Sequence, residues 1–278
     1  MVYMLMTPYA WPCPFKVAEI VRQTGKQYVM PRFQCLRNEQ IQQKTSNLDL
    51  VTEADLAAEA FLTDILPSFL PGSVVLGEEA VHQDPSKMRA LNEDAPVWVV
   101  DPVDGTLNFA RGVTGFAVVL ALVYKKQTLM GWIYDPLEEE MAYAEAGSGA
   151  YVNTKQLNPT IKQANIPMDT SLCSFNSPLA KKMRPHVGRI RRRGSAAHDY
   201  LSLAKSSHDK GMHACVYTRL KPWDHAAGVL IAQEAGCVAG YIDKHPYVPE
   251  DGANGYLLTA TNSALWDVLS TKIHEVIA

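Results

Sequence analysis

The stretch Val97-Trp98-Val99-Val100-Asp101-Pro102-Val103-Asp104-Gly105-Thr106 constrains the fold more than any other part of this 278-residue chain. Its first four residues are apolar and mostly β-branched, the composition of a short buried strand. Two carboxylates follow three residues apart, and Gly105 lets the chain turn so that amide N–H groups point outward. A strand ending this way brings acid groups and backbone donors to one corner, where a hard cation and an anion can meet. An Asp-Pro-x-Asp-Gly turn also has a purely structural reading. Thr106 reads equally as part of an anion cradle, with the N–H groups of Asp104 to Thr106 at a helical turn starting near Leu107, or as the cap of that turn.

The flanking patterns predict a mixed fold. Val17, Ile20, Val21 and Tyr28 suggest a first helix over 15–30, interrupted by Gly25 and ended by Pro31. Leu56, Ala60, Phe61, Ile65 and Phe69 recur at three- and four-residue spacing, which predicts a helix over 55–69 with one buried face. A strand over 73–77 leads into Glu78-Glu79. The β-rich runs 116–124 and 129–134, joined by Lys125-Lys126-Gln127, read as a hairpin that 141–145 and 149–152 extend. Beyond Asn153 the pattern predicts helices over 195–204, 223–235 and 264–277 and strands over 213–218, 238–242 and 257–260. The order implies an antiparallel α+β half over 1–150 and a more alternating α/β half over 151–278.

Composition narrows the function classes. With 47% hydrophobic residues the chain can bury a sizeable core, and a net charge of −3 gives no global attraction to nucleic acid or an anionic membrane. An anionic partner must therefore be held locally. The five cysteines, Cys13, Cys35, Cys173, Cys215 and Cys237, are scattered and form no CxxC pair, which points to reduced thiols in a cytoplasmic protein and against a thiolate metal site. Residues 1–15 are apolar but carry three prolines and no preceding basic region, so they read as an arm packed on the surface rather than a signal peptide. No run is long enough to span a bilayer.

Glu78, Asp101, Asp104 and Asp224 each stand at the edge of an expected element, and hard divalent cations such as Mg²⁺ take several oxygen ligands. Three acidic strand or helix ends in one chain suggest convergence. Asp55, just before an expected helix, reads as an N-cap. With Thr106 as partner it reads instead as the carboxylate that orients the hydroxyl to take a proton from water.

Four ordered segments resemble the inositol monophosphatase family of metal-dependent, lithium-sensitive phosphatases. They are Asp49-Leu50-Val51-Thr52-Glu53-Ala54-Asp55, Gly77-Glu78-Glu79, Trp98 through Phe109, and Trp223-Asp224-His225-Ala226-Ala227-Gly228. The resemblance implies an α+β fold, the αβαβα layered sandwich shared with sugar bisphosphatases, as a homodimer that hydrolyses phosphomonoesters with Mg²⁺. It places one ion on Glu78, Asp101 and the Val103 carbonyl, a second on Asp101, Asp104 and Asp224, and a third, weaker ion on Glu78 through water. Asp55 and Thr106 match the pair that positions and deprotonates the attacking water. Lys44 matches a lysine that tunes the acidic cluster; its other reading is an exposed surface lysine.

Substrate choice is less determined. Asp104, Gly105, Thr106 and Asp224 are expected at the phosphate, and Ser195 and Ala196 match the family's substrate-side Gly-Thr-Ala-Ala stretch. Tyr217 replaces the glutamate with which inositol phosphatases hold ring hydroxyls, and Arg219 and Lys221 bring cations toward the pocket. The expected substrate is a small polyol or sugar phosphate such as inositol 1-phosphate. Histidinol phosphate, fructose 1,6-bisphosphate and a 3′-phosphoadenosine nucleotide are alternatives on the same scaffold. Arg184, His186, Arg189, Arg191, Arg192 and Arg193 read as a solvated or dimer-facing strand edge, or as a second-anion site. They also leave open an interaction protein that works with the transcription or RNA machinery, although no interleaved aromatics support nucleic-acid binding. His198, His213 and His225 fall near the motifs and receive no role, and Trp223 reads as a packing residue.

Overall fold

The computed structural model describes residues 9–46, 49–157, 169–172, 178–206, 212–250 and 254–278. Residues 1–8 of the expected arm and Cys173 lie outside them. Residues 9–13 do pack on the body of the protein, with the rings of Tyr9 and Trp11 each 5.6 Å from that of Tyr124.

In chain order the first elements are α1 (Pro14–Thr24), β1 (Ile41–Ser46), β2 (Asp49–Thr52), α2 (Glu53–Phe69), β3 (Val74–Gly77), α3 (Glu78–Gln83), β4 (Val97–Asp104) and α4 (Thr106–Ala110). The meander follows as β5 (Ala117–Tyr124), β6 (Gln127–Asp135), β7 (Glu140–Glu145), β8 (Ala150–Val152) and β9 (Lys155–Gln156). The remainder is β10 (Asp169–Leu172), α5 (Pro178–Met183), β11 (Arg189–Arg191), α6 (Ala196–Ala204), β12 (Ala214–Tyr217), α7 (Pro222–Glu234), β13 (Val238–Tyr241), β14 (Leu257–Ala260) and α8 (Ser263–Ile277).

Strands β3 to β9 form a seven-stranded sheet in sequential order, parallel between β3 and β4 and antiparallel beyond. A second, five-stranded sheet has the order β11-β10-β12-β14-β13. Side chains alternate across a strand, so the large sheet buries two faces. Trp98, Val100, Leu120, Trp132 and Tyr134 pack on α1 and α2, whereas Val99, Ala121, Ile133 and Ala142 pack on α6 and α7. The inner face of the small sheet covers α6 and α7 from the other side through Cys215 and Leu257, while Val216, Leu258 and Ala260 meet α5 and α8. The layers are thus helix, sheet, helix, sheet, helix, the expected αβαβα sandwich. Each fully buried side chain of Leu or Val size contributes about 1.5–3 kcal/mol.

Several boundaries differ from the sequence reading, each for a local reason. The first helix leaves α geometry at Gly25 and continues to Val29 as a π turn. The meander's first turn has two residues, not three: Lys125 and Lys126 both have positive φ, 49° and 61°, a type I′ pattern usually signalled by Asn-Gly. Strands β1 and β2 pair with each other in a small hairpin whose polar residues carry no strand signal. The basic cluster is divided, with Arg189 and Arg191 on edge strand β11 and Arg192 and Arg193 leading toward α6.

Candidate active site

The site is built around the end of β4. In a regular strand residues three apart point to opposite faces, so Asp101 and Asp104 would be separated. Here Asp101 pairs with Val119 and Asp104 with Ala117, so β4 gains one residue on β5 in a bulge containing Pro102. The extra residue resets the alternation and brings both carboxylates to one side. Gly105 then turns the chain with φ +85°, and a Cβ there would lie 2.5 Å from the Gly115 carbonyl oxygen. Only glycine meets both demands.

Thr106 opens α4 without capping it. Its hydroxyl faces the Val103 carbonyl at 2.9 Å and Asp55 Oδ1 at 3.3 Å, which corrects the reading of Thr106 as a simple cap. Asp55 is not an N-cap either but the third residue of α2. Its Oδ2 accepts from the Thr52 N–H at 2.9 Å and the Thr52 hydroxyl at 2.5 Å, the reciprocal half of a capping box. One carboxylate oxygen is thereby anchored and the other turned to Thr106. Burial, opposed by the Thr52 bond, pushes the Asp55 pKa up to about 7.

Glu78 and Glu79 open α3 and depend on a residue the sequence reading passed over. Glu59 of α2 accepts the N–H groups of Glu79 and Ala80, both at 2.8 Å, and so fixes the direction of α3. This approach requires glycine at position 77, where a Cβ would lie 2.2 Å from the Glu59 carboxyl carbon. Lys44 reaches Glu78 at 2.8 Å and Glu79 at 2.6 Å with its side chain only 3% exposed, so it is no surface lysine. Burial works against its charge, but the two glutamates outweigh that and raise its pKa. One positive charge cannot neutralise two carboxylates, and burial with the neighbouring Glu78 lifts Glu79 to about 8.

Asp224 lies in the first turn of α7, a helix almost wholly buried between the two sheets. One carboxylate oxygen each from Glu78, Asp101 and Asp224 lie within 4.8 Å of one another. Burial first, then Glu78 and Asp104, hold the pKa values of Asp101 and Asp224 well above the ordinary carboxylate value. Three acids aimed at one point, Asp101 buried and Glu78 and Asp224 partly so, repel each other, and an oxygen-only donor set of this kind fits Mg²⁺. Asp104 is engaged differently: it accepts the Ser195 hydroxyl and the N–H groups of Ala196 and Ala197, at 3.3 and 2.8 Å for the amides, at the start of α6. A carboxylate has lone pairs enough for these bonds and a cation.

The sequence profile of the inositol monophosphatase family matches residues 15–278. The chain belongs to the inositol monophosphatase family. Among its relatives is "Fructose-1,6-bisphosphatase/inositol-1-monophosphatase" of Thermotoga maritima, 30% identical over 204 residues, 72% of this chain and 74% of that protein. "Nus factor SuhB" of Vibrio cholerae is 33% identical over 208 residues, again 72% and 74%. The solved structure of Thermotoga maritima IMPase superposes with a TM-score of 0.77 at 25% identity, covering 95% of this chain and 97% of that one. As an inositol monophosphatase family member this protein is a metal-dependent phosphoric monoester hydrolase. No helix of the described residues is long and apolar enough to cross a membrane.

Of the residues expected on the substrate side, Asp104, Ser195, Ala196, Tyr217 and Asp224 line a pocket of about 230 Å³ together with Arg192, Arg193 and Arg219. Gly105 does not line it but backs onto Ser195, and Thr106 turns toward Asp55. Tyr217 donates its hydroxyl to Asp199 at 2.7 Å, which ties the tyrosine to α6. Trp223 is buried, with the Lys221 ammonium 5.7 Å from its ring centre. His225 is buried between Tyr200 and the Arg219 carbonyl, at 2.9 and 2.8 Å, and burial lowers its pKa to about 4, which keeps it neutral. Glu59, four residues after Asp55 and so one helical turn on, was missed from sequence; His198, three after Ser195, received no role there, and its Nδ1 lies 2.9 Å from the Ser195 hydroxyl. A larger cavity of about 620 Å³, between α1 and strands β7 and β8, contains none of the converging carboxylates.

Proposed function

We propose that this protein hydrolyses inositol 1-phosphate or a related small polyol or sugar phosphate. The observation that carries the reading is the approach of Glu78, Asp101 and Asp224 oxygens within 4.8 Å, beside the Asp55–Thr106 pair. Glu78, Asp101, Asp104, Asp224 and the Val103 carbonyl would hold two Mg²⁺ ions, with a third, weaker ion at Glu78 and lithium as inhibitor. Bound there, Mg²⁺ acidifies water and offsets phosphoryl charge. Thr106 Oγ1 receives a proton from the attacking water as its own passes to Asp55 Oδ1. A base whose pKa is about 7 suits neutral pH. Ser195 and Ala196 line the far wall, where the leaving group would rest. We read residues 1–150 as the half carrying the catalytic motifs and 151–278 as the half carrying the substrate contacts. The free thiols Cys13, Cys35, Cys215 and Cys237 support a reducing, cytoplasmic setting, and the family resemblance supports a homodimer.

The deciding experiment is phosphate release from a panel of phosphomonoesters with and without Mg²⁺. Release that needs Mg²⁺, is blocked by lithium and is lost in Asp101→Asn supports the proposal. Failure of the metal-saturated protein to hydrolyse any member of the panel overturns it.

Arg192, Arg193 and Arg219 around the pocket favour a second reading, in which the leaving group carries another anion, as in fructose 1,6-bisphosphate. A higher kcat/KM for such bisphosphates than for inositol 1-phosphate would support it. A reading of another class, an interaction protein acting with RNA machinery, draws support from the likeness to Nus factor SuhB. Biological activity retained in Asp101→Asn would favour it.

A further inference from the structure

The Asn108 side chain of α4 bonds two backbone segments that are distant from each other in sequence. Its Nδ2 donates to the Gly115 carbonyl at 2.7 Å and to the Arg193 carbonyl at 2.8 Å, the latter 85 residues away. An amide nitrogen has two N–H donors, and both are used. Two carbonyl acceptors also settle which end of the amide is nitrogen, since oxygen in that place would face oxygen. Asn108 falls inside the segment Trp98 through Phe109 that carries the family resemblance, yet it is neither one of the converging acids nor part of the Asp55–Thr106 pair.

The geometry of α4 separates these tasks. Successive residues of a helix turn by about 100°, so Thr106 and Asn108 leave α4 on nearly opposite sides. Thr106 faces Asp55 and the Val103 carbonyl, and Asn108 faces Gly115 and Arg193. The Asn108 backbone is held as well, its N–H donating to the Gly105 carbonyl at 2.9 Å and its own carbonyl accepting the Val113 N–H at 3.0 Å. The amide is therefore aimed from a fixed position.

What the amide grips is the start of the substrate-side wall. Arg193 lines the pocket of about 230 Å³ with Ser195, Asp199 and Tyr217. The Arg193 guanidinium donates to Ser202 and lies 3.7 Å from Asp199, which accepts the Tyr217 hydroxyl at 2.7 Å. Arg193, Asp199 and Tyr217 thus form one connected unit. Asp104 attaches this unit to the end of β4 through Ser195 and the Ala196 and Ala197 amides. Asn108 attaches it a second time, two residues before Ser195, to the helix that carries Thr106. Gly194 stands between the two attachments with φ +75°, where a single attachment would leave the chain free to pivot.

We propose that Asn108 is a positioning residue for the substrate, holding Arg193 and the turn into α6 at the distance from the phosphate end that the leaving group must span. The inference rests on the phosphomonoesterase reading and adds to it the group that sets where the leaving group rests. The converging carboxylates stand on β4, α3 and α7, and their placement does not pass through Asn108. The placement of the wall does. Loss of the amide therefore loosens the grip on the leaving group and spares the phosphate end.

The experiment separates the two ends with inorganic phosphate, which has no leaving group. The substrate is inositol 1-phosphate, or whichever sugar phosphate the wild type cleaves fastest. In Asn108→Ala its KM rises about 10-fold, the worth of one or two hydrogen bonds, with kcat little changed. The inhibition constant of inorganic phosphate and the Mg²⁺ affinity read by titration calorimetry stay at wild-type values. Asn108→Ser, whose hydroxyl supplies at most one of the two donors, shows a smaller rise in KM and serves if Asn108→Ala does not fold. Phosphate inhibition and Mg²⁺ affinity that weaken in step with KM would mean that Asn108 only supports α4, and they overturn the proposal while leaving the phosphatase reading intact. An unchanged KM does the same. Wild-type protein that cleaves no ester overturns both.

Discussion

Thr106 Oγ1 stands between two acceptors, the Val103 carbonyl at 2.9 Å and Asp55 Oδ1 at 3.3 Å. One hydroxyl proton cannot serve both, so the direction of that proton decides whether Asp55 can act as a base. The other Asp55 oxygen is anchored by Thr52, which leaves Thr106 in reach of the remaining lone pairs. Asp55→Asn keeps the shape of the capping box and removes the base. Its kcat is expected to fall about 10²–10⁴-fold. Thr106→Ser should retain far more activity than Thr106→Val. Steady-state kinetics on the three variants tests this, and full activity in Asp55→Asn would remove Asp55 from the mechanism.

Asp101 makes metal-free protein less stable at neutral pH. Burial first, then Glu78 and Asp104, hold its folded pKa well above the ordinary carboxyl value of 3.8. From that unfolded value upward the native state binds more protons than the unfolded chain, so this group's contribution falls as pH rises toward its folded pKa. Asp101→Asn removes the penalty. In a chelator at pH 7.5 the variant is expected to melt about 2–4 °C above wild type, with the difference shrinking toward pH 4. Mg²⁺ should stabilise the wild type much more than the variant. A variant less stable than wild type at pH 7.5 contradicts the account.

Glu59 fixes the first turn of α3, and through it the direction of Glu78. Glu59→Gln turns an amide NH₂ toward a backbone N–H, losing one bond and adding a repulsion. Mg²⁺ affinity is expected to fall about 10–100-fold, as it does when residues supporting a metal ligand are changed. Titration calorimetry reads this directly, and wild-type affinity would show that α3 holds its direction without Glu59. Gly77→Ala should be worse, because its Cβ would lie 2.2 Å from the Glu59 carboxyl carbon.

Arg219 lines the substrate-side pocket and also approaches Asp49, at 3.8 Å, with 65% of its side chain exposed. If the leaving group carries a second phosphate, Arg219→Ala should raise KM for fructose 1,6-bisphosphate by about 10-fold, the size of one charge-assisted contact. KM for inositol 1-phosphate should change much less, and added salt should narrow the gap. Parallel changes for the two esters would locate the second phosphate elsewhere.

Much of the fold could be read from local patterns because its strands are short apolar runs bounded by turn residues. Val97 to Val100 and the runs of β5 and β6 stand out for that reason; α2 was legible as a helix, but its buried face is Ala54, Ala58, Leu62 and Leu66 and not the expected Leu56, Ala60, Phe61, Ile65 and Phe69, because α2 packs on the sheet one position round from the most apolar stripe. The hairpin β1–β2 did not, since Gln42, Gln43, Lys44 and Thr45 form a polar strand held by pairing rather than composition. The site carboxylates were legible because Asp101, Asp104, Glu78 and Asp224 stand at element ends in recognisable segments. Glu59 was not, because a glutamate on a helix reads as a solvated residue until the Glu79 and Ala80 amides are placed against it.

By itself the sequence determined the chemistry: which oxygen ligands are available, which hydroxyl and carboxylate can share a proton, and which family the chain resembles. Tertiary structure decided how those groups meet. The bulge at Pro102 puts Asp101 and Asp104 on one side, which strand alternation alone forbids. Packing α6 and α7 between the two sheets brings Asp224 to Glu78 and Asp101, and sets His198 against Asp135, 63 residues away in the chain. Periodicity records only which face of an element is buried; the approach of distant side chains depends on how whole layers pack, and no local pattern encodes it.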